Sequence, residues 1–144
     1  MKTVDTQEYL SMLRTLVEEG KQVSMVISGS SMSPFLIHAR DSICFSRPER
    51  DIRRGDMVFY RRANGQYVMH RVCRVEDAGY YMIGDAQRVV EGPVERGRIF
   101  AIVTRVKRKG KWIGPGDFWW EFFAHVWLNL IPLREAIIKI YHRF

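Results

Sequence analysis

The segment most suited to chemistry is Ser28-Gly29-Ser30-Ser31-Met32-Ser33-Pro34. It follows a stretch in which Val23, Met25 and Ile27 alternate with polar or small residues, the pattern of a half-buried strand. A strand that runs into a serine- and glycine-rich turn can hold a hydroxyl at its end with backbone N–H groups free nearby. A nucleophile and an oxyanion site need that geometry. A serine-rich turn without catalysis fits the same residues. A serine nucleophile also needs an adjacent base. His70 lies in a second alternating stretch, Gln66–Glu76, on the same strand face as Val68 and Val72. That places it partly buried beside apolar neighbours. A core histidine satisfied by one hydrogen bond would sit there too.

Four short motifs occur in order. They are Ser31-Met32-Ser33-Pro34, Gly55-Asp56-Met57-Val58, His70-Arg71-Val72 and Gly84-Asp85. Together they resemble the serine peptidases of the type I signal peptidase and LexA-like superfamily, over about residues 23–106. The resemblance implies that Ser31 is the nucleophile and that His70 stands where many members carry a lysine base. Histidine at this place is similar to the branch of endoplasmic-reticulum-type and sporulating-bacterial signal peptidases. In that branch a Gly-Asp-Asn-Asn segment precedes an acid that supports the histidine. Here the segment reads Gly84-Asp85-Ala86-Gln87, with Glu91 further on. Either Asp85 or Glu91 orients His70, and Glu91 is slightly favoured. With a reference pKa of about 6.5, histidine accepts a proton at neutral pH without adjustment, so the rate is expected to fall on acidification near that value. The Ser31 N–H is the expected oxyanion donor. An extended substrate would pair with the edge of Gln22–Ser28, which makes Val26, Ser28, Gly29 and Met32 the expected substrate contacts. The resemblance implies small residues beside the cleaved bond.

The elements that must position these residues follow from periodicity. Tyr9, Leu10, Leu13, Leu16 and Val17 recur at helical spacing after an Asp5/Glu8 capping box, and Gly20 stops the helix. Further strands are predicted at Ser42–Ser46, Met57–Arg62, Tyr80–Ile83 and Arg98–Lys107. Asn64-Gly65 signals a tight hairpin between the third and fourth strands. Residues 22–113 thus read as one mostly antiparallel β domain. Gly114-Pro115-Gly116 breaks the pattern. Beyond it, Phe118–Leu133 reads as an amphipathic helix with a polar stripe of Glu121, His125 and Asn129, ended by Pro132. The expected fold is mainly β: a LexA/signal-peptidase-like antiparallel domain over residues 1–116, with a short N-terminal helix, and a C-terminal amphipathic helix over 117–144.

Composition bounds the alternatives. The chain has 144 residues, and 23 Lys and Arg against 16 Asp and Glu give a net charge of +7. This is a usual length for one domain, and 47% hydrophobic residues supply a core. Two cysteines cannot build a disulfide framework or a four-cysteine zinc site. Cys44, Cys73, His38 and His70 lack the paired spacing of zinc ligands, so no metal or cofactor is expected. Arg61 and Arg62 read as solvated. The basic run Arg105–Lys111 and the tail cations Arg134, Lys139 and Arg143 fit nucleic acid, an anionic membrane surface or solubility alone; nucleic acid is disfavoured because only Trp112 offers a nearby aromatic, and a membrane contact would use Lys111 with the tail cations. The C-terminal tryptophans either pack on the β domain or a second copy, or rest in a membrane interface. From Trp119 to Ile131 the segment spans about 20 Å at helical rise, against a hydrocarbon core of about 30 Å. No secretory signal is visible, so the expected location is cytoplasmic or peripheral at the inner membrane surface. The function these readings point to is a serine endopeptidase that matures a precursor peptide or protein. The rival is an inactive peptide-binding or membrane-associated interaction module on the same fold.

Overall fold

The structure is a computed structural model that describes residues 6–133. Asp5 of the expected capping box, the tail cations Arg134, Lys139 and Arg143, and His142 lie outside the described residues.

Helix α1 covers Thr6–Glu18. Eight strands follow: β1 (Val23–Val26), β2 (Ser42–Ser46), β3 (Met57–Arg61), β4 (Tyr67–Glu76), β5 (Gly79–Ile83), β6 (Glu91–Val94), β7 (Ile99–Arg108) and β8 (Lys111–Ile113). All pair antiparallel in one sheet of order β1-β2-β7-β3-β4-β5-β6, with β8 also on β7. The expected β architecture is therefore present, with β6 and β8 added. Those two strands carry too little alternation to be read: Glu91–Val94 contains Gly92 and Pro93, and Lys111–Ile113 is three residues long.

The alternation of β4 and β7 separates two apolar clusters. The larger contains Leu10, Leu13 and Val17 of α1 with Ile43, Phe45, Phe59, Phe100, Phe123 and Trp127. The smaller contains Val58, Tyr60, Val72, Met82, Val94, Ile99 and Ile102. Side chains of successive strand residues point to opposite faces, so β3 and β4 supply both clusters.

The β3–β4 connection is not a two-residue turn. Arg62 N–H donates to Gln66 O, and Gly65 N–H donates to Arg62 O. Gly65 has φ 91°, the left-handed conformation that closes a three-residue hairpin loop. Asn64 holds the loop by accepting from Gln66 N–H. The Asn-Gly signal found the hairpin, and the extra residue shortens β3 to Arg61.

The C-terminal segment is helical but not one regular helix. An α turn α2 (Phe118–Glu121) passes into a π turn at Phe122–Val126, then into a 3-10 stretch at Trp127–Leu133 with non-helical dihedrals at Leu130. The predicted polar stripe survives: His125 Nε2 lies 3.0 Å from Glu121 Oε2, and Asn129 donates to His125 O. Phe123, Ala124, Trp127 and Leu128 are buried. The inner face of this segment thus packs on the sheet, in the same cluster as α1. Among the described residues, no helix is long and apolar enough to cross a membrane.

Candidate active site

Ser31 and His70 line one cavity of about 200 Å³. Its walls include Gln7 and Leu10 from α1, Met25 from β1, Ile27 to Gly29 and Met32 from the turn after β1, and Val68 and Met69 from β4. Of the expected substrate contacts, Ser28, Gly29 and Met32 line the cavity. Val26 does not. It points away and is half exposed, because the strand alternation that turns Met25 and Ile27 inward turns Val26 outward.

Several contacts hold Ser31 in place. Ser31 O accepts the Ala86 N–H at 2.8 Å. A Cβ on Gly84 would collide with Ser31 O, so only glycine permits this approach. Gly29 N–H donates to His38 Nδ1 at 2.9 Å. Behind the turn, buried Asp41 accepts from the N–H groups of Ile37 and Lys109 and from Arg40. Among the described residues no acceptor takes the Ser31 N–H.

His70 is 4% exposed. Its Nδ1 lies 3.2 Å from the Tyr60 hydroxyl, and that hydroxyl lies 3.0 Å from Glu91 Oε2. Arg62 grips Glu91 through two bonds of 2.9 Å each. Burial pushes the Glu91 carboxyl up, but the bonds from Arg62 and Tyr60 outweigh it and hold the group below its ordinary range. Glu91 is therefore ionised at neutral pH and only accepts. Burial first, and the Glu91 charge second, push the Tyr60 hydroxyl far above its ordinary value, so it keeps its proton. The single Tyr60 proton goes to Glu91. The proton between Tyr60 and His70 must then come from His70 Nδ1, which leaves Nε2 with its lone pair free. The network assigns the tautomer that a general base requires.

The two acids thus have separate places. Glu91 reaches His70 through Tyr60 and not directly. Asp85 does not hydrogen-bond His70 at all. It is fully buried and receives both Arg71 Nε and Nη2, at 2.8 and 2.9 Å. Arg71 also donates to Gly55 O, and Trp127 Nε1 donates to Asp85 O. This cluster ties β4, the turn after β5 and the C-terminal segment together. The expectation that Arg62 is solvated is likewise corrected, since it pairs with Glu91 and Gln66. Tyr60 and Arg62 were not picked out from sequence, because their roles depend on cross-strand register. Val58 faces His70 in the ladder, which brings Tyr60, one rung further along the same face, to the imidazole.

Burial lowers the His70 pKa from 6.5 to about 4. Glu91 and Asp85 oppose the shift, and Arg62 adds to it. The ring is neutral at physiological pH.

Comparisons with family models, with curated proteins and with solved structures return no similar protein. The reading of the site stands on its residues.

Proposed function

We propose that this chain is a serine endopeptidase built on a LexA/signal-peptidase-like sheet. The observation that carries the reading is that Ser31 and a buried, neutral His70 line the same cavity while Tyr60 and Glu91 fix the His70 tautomer. Ser31 Oγ attacks the scissile carbonyl carbon and its proton passes to His70 Nε2. The carbonyl oxygen becomes an oxyanion that accepts from the Ser31 N–H. The carbon–nitrogen bond then breaks as His70 returns the proton to the leaving amine. Water, deprotonated by the same Nε2, hydrolyses the acyl-enzyme. The Nδ1–H bond to Tyr60, and through it Glu91, stabilises the transient imidazolium.

A fluorophosphonate probe tests this reading, since its phosphorus is attacked by an activated serine with loss of fluoride. Wild type is expected to label at Ser31, and Ser31→Ala and His70→Ala are expected not to label. Equal labelling of all three would remove the assignment.

The same reading places the chain against an anionic membrane surface. Phe118 and Trp119 are 70% and 47% exposed. Arg108 stacks on Trp119 at 5.4 Å and pairs in register with Lys111. Exposed aromatics rimmed by cations are the chemistry that settles into a lipid headgroup layer.

The rival reading, a binding module without turnover, draws on one observation. A base whose pKa is near 4 is a weaker proton acceptor than an ordinary imidazole. The labelling experiment separates the two.

A further inference from the structure

The β4 edge beside the cavity carries hydrogen-bonding groups that the sheet leaves unpaired. Because Arg62 and Gln66 form a bonded rung, alternation also makes Tyr60–Val68 and Val58–His70 bonded rungs. The N–H and C=O of Tyr67, Met69 and Arg71 therefore point away from β3. At Arg71, Ile83 of β5 takes this outward edge, and β5 pairs no further toward Tyr67. At Tyr67 the partner is not a strand. Tyr67 N–H donates to Gln7 Oε1 at 2.5 Å, and Gln7 Nε2 donates to Tyr67 O at 3.1 Å. One side-chain amide thus makes both bonds of a β rung. Between these two positions lies Met69, next to His70 and in the wall of the cavity. Met25 of β1, a terminal strand of the sheet, and Ile27 just beyond it line the same cavity.

We propose that Gln7 acts as a mock strand that ends a peptide-binding edge and so sets how far a bound peptide extends. An extended peptide pairs its backbone with the outward groups of Met69, beside His70. It cannot continue along β4 past Tyr67, because Gln7 already holds that rung. The proposal takes its occupant, an extended peptide, from the function proposed above, but it does not depend on turnover. Glutamine suits the task because its amide has both an acceptor and donors, matching a peptide group. Glutamate would keep the bond from Tyr67 N–H and lose the one to Tyr67 O. Leu10, Leu13 and Val17 are buried in the main core, which anchors α1 and returns Gln7 to the same rung.

The test uses full-length Ser31→Ala protein, so that bound peptides persist. Random dodecapeptides are selected by display, and the footprint of the best binder is read by amide hydrogen exchange and by stepwise truncation of the peptide. With Gln7 present, the binder is expected to protect Met69 and leave Tyr67 exchange unchanged. In the Gln7→Ala background, Tyr67 exchange without peptide rises at least about tenfold. The footprint then grows by about two residues, one further rung, and its protection reaches Tyr67. Gln7→Glu keeps Tyr67 slow and guards against a variant that merely loosens α1. Identical footprints in both backgrounds, no protection at Met69, or no enriched peptide would each overturn the proposal. Fluorophosphonate labelling of wild type reports separately on catalysis, so a failed peptidase reading is distinguishable from a failed edge.

Discussion

At the scale of single residues, the site depends on how few protons are shared by how many acceptors. Glu91 takes the Tyr60 proton, so His70 must give up its own Nδ1 proton to Tyr60. Replacing Glu91 by glutamine keeps the shape and reverses the logic. The new amide donates to Tyr60, Tyr60 turns its proton to Nδ1, and the His70 proton moves to Nε2. Glu91→Gln is expected to slow Ser31 labelling by about a hundredfold or more while the protein stays folded. Imidazole nitrogen shifts in NMR spectra would report the swapped tautomer. Unchanged labelling would mean that Tyr60 does not relay. The acid limb belongs to this scale as well. The base works only when neutral, and its pKa is lowered from 6.5 to about 4. Activity per folded molecule is expected to stay level from about pH 8 to 5 and to fall as pH drops through about 4, in place of the limb near 6.5 that an unshifted histidine gives. The unfolded chain takes up its proton at 6.5, so this group costs stability progressively below that pH, and the folded fraction must be followed by circular dichroism. A midpoint near 6.5 after that correction would contradict the burial argument. Ser31 and His70 drew attention in the sequence because each belongs to a short motif, Ser31 in the turn that follows a periodic stretch and His70 on a strand. Whether Asp85 or Glu91 supports the base was not legible, because Arg71 claims Asp85 only once β4 and the turn after β5 are folded together.

At the scale of elements, the sheet supplies position and the connections supply precision. The turn after β5 braces Ser31 through Ala86 N–H and through the bare approach of Gly84 to Ser31 O. Two substitutions in that turn should fail differently. Asp85→Ala leaves the Arg71 guanidinium buried without its partner and is expected to cost about 3–5 kcal/mol of stability, seen as a lowered midpoint of chemical unfolding. Gly84→Ala forces Ser31 O aside and is expected to depress serine labelling well beyond its effect on unfolding. If both variants lost only stability, the turn would be a support for the fold and not for the nucleophile. Most strands were readable because apolar residues recur at a period of two or in short runs bounded by turn residues, even where both faces are covered as in β3 and β7. The C-terminal segment kept its predicted polar stripe but not its regular geometry. Its apolar surface is broad, and periodicity does not distinguish α, π and 3-10 turns that bury Phe123 and Trp127 equally well.

At the scale of the whole molecule, the basic end of β7 meets the C-terminal segment where Arg108 lies over Trp119 at 5.4 Å. The Phe118, Trp119 and Phe122 rings cluster there, while Trp112 lies under Arg105 at 4.7 Å on the other face of β7. Full-length protein is expected to sediment with vesicles of mixed phosphatidylserine and phosphatidylcholine and to be released as salt is raised. The double variant Phe118→Ser, Trp119→Ser is expected to bind about tenfold more weakly without loss of Ser31 labelling. Equal sedimentation of both proteins would remove these aromatics from any lipid contact. Charge and aromatic content drew attention to these residues in the sequence. Which aromatics stay outside could not be read, because the sheet selects which face of the segment it covers.

The placement of β7 sets an order on the making of this protein. β7 pairs with β2 along one side and with β3 along the other. Ser31 lies in the turn after β1, on the β2 side of this join, and His70 lies on β4, on the β3 side. A ribosome therefore delivers Ser31 and His70 long before it delivers the strand that joins them at Ile99–Arg108. Until that strand emerges and inserts, the growing polypeptide holds two parts of a sheet that lack the ladder they share.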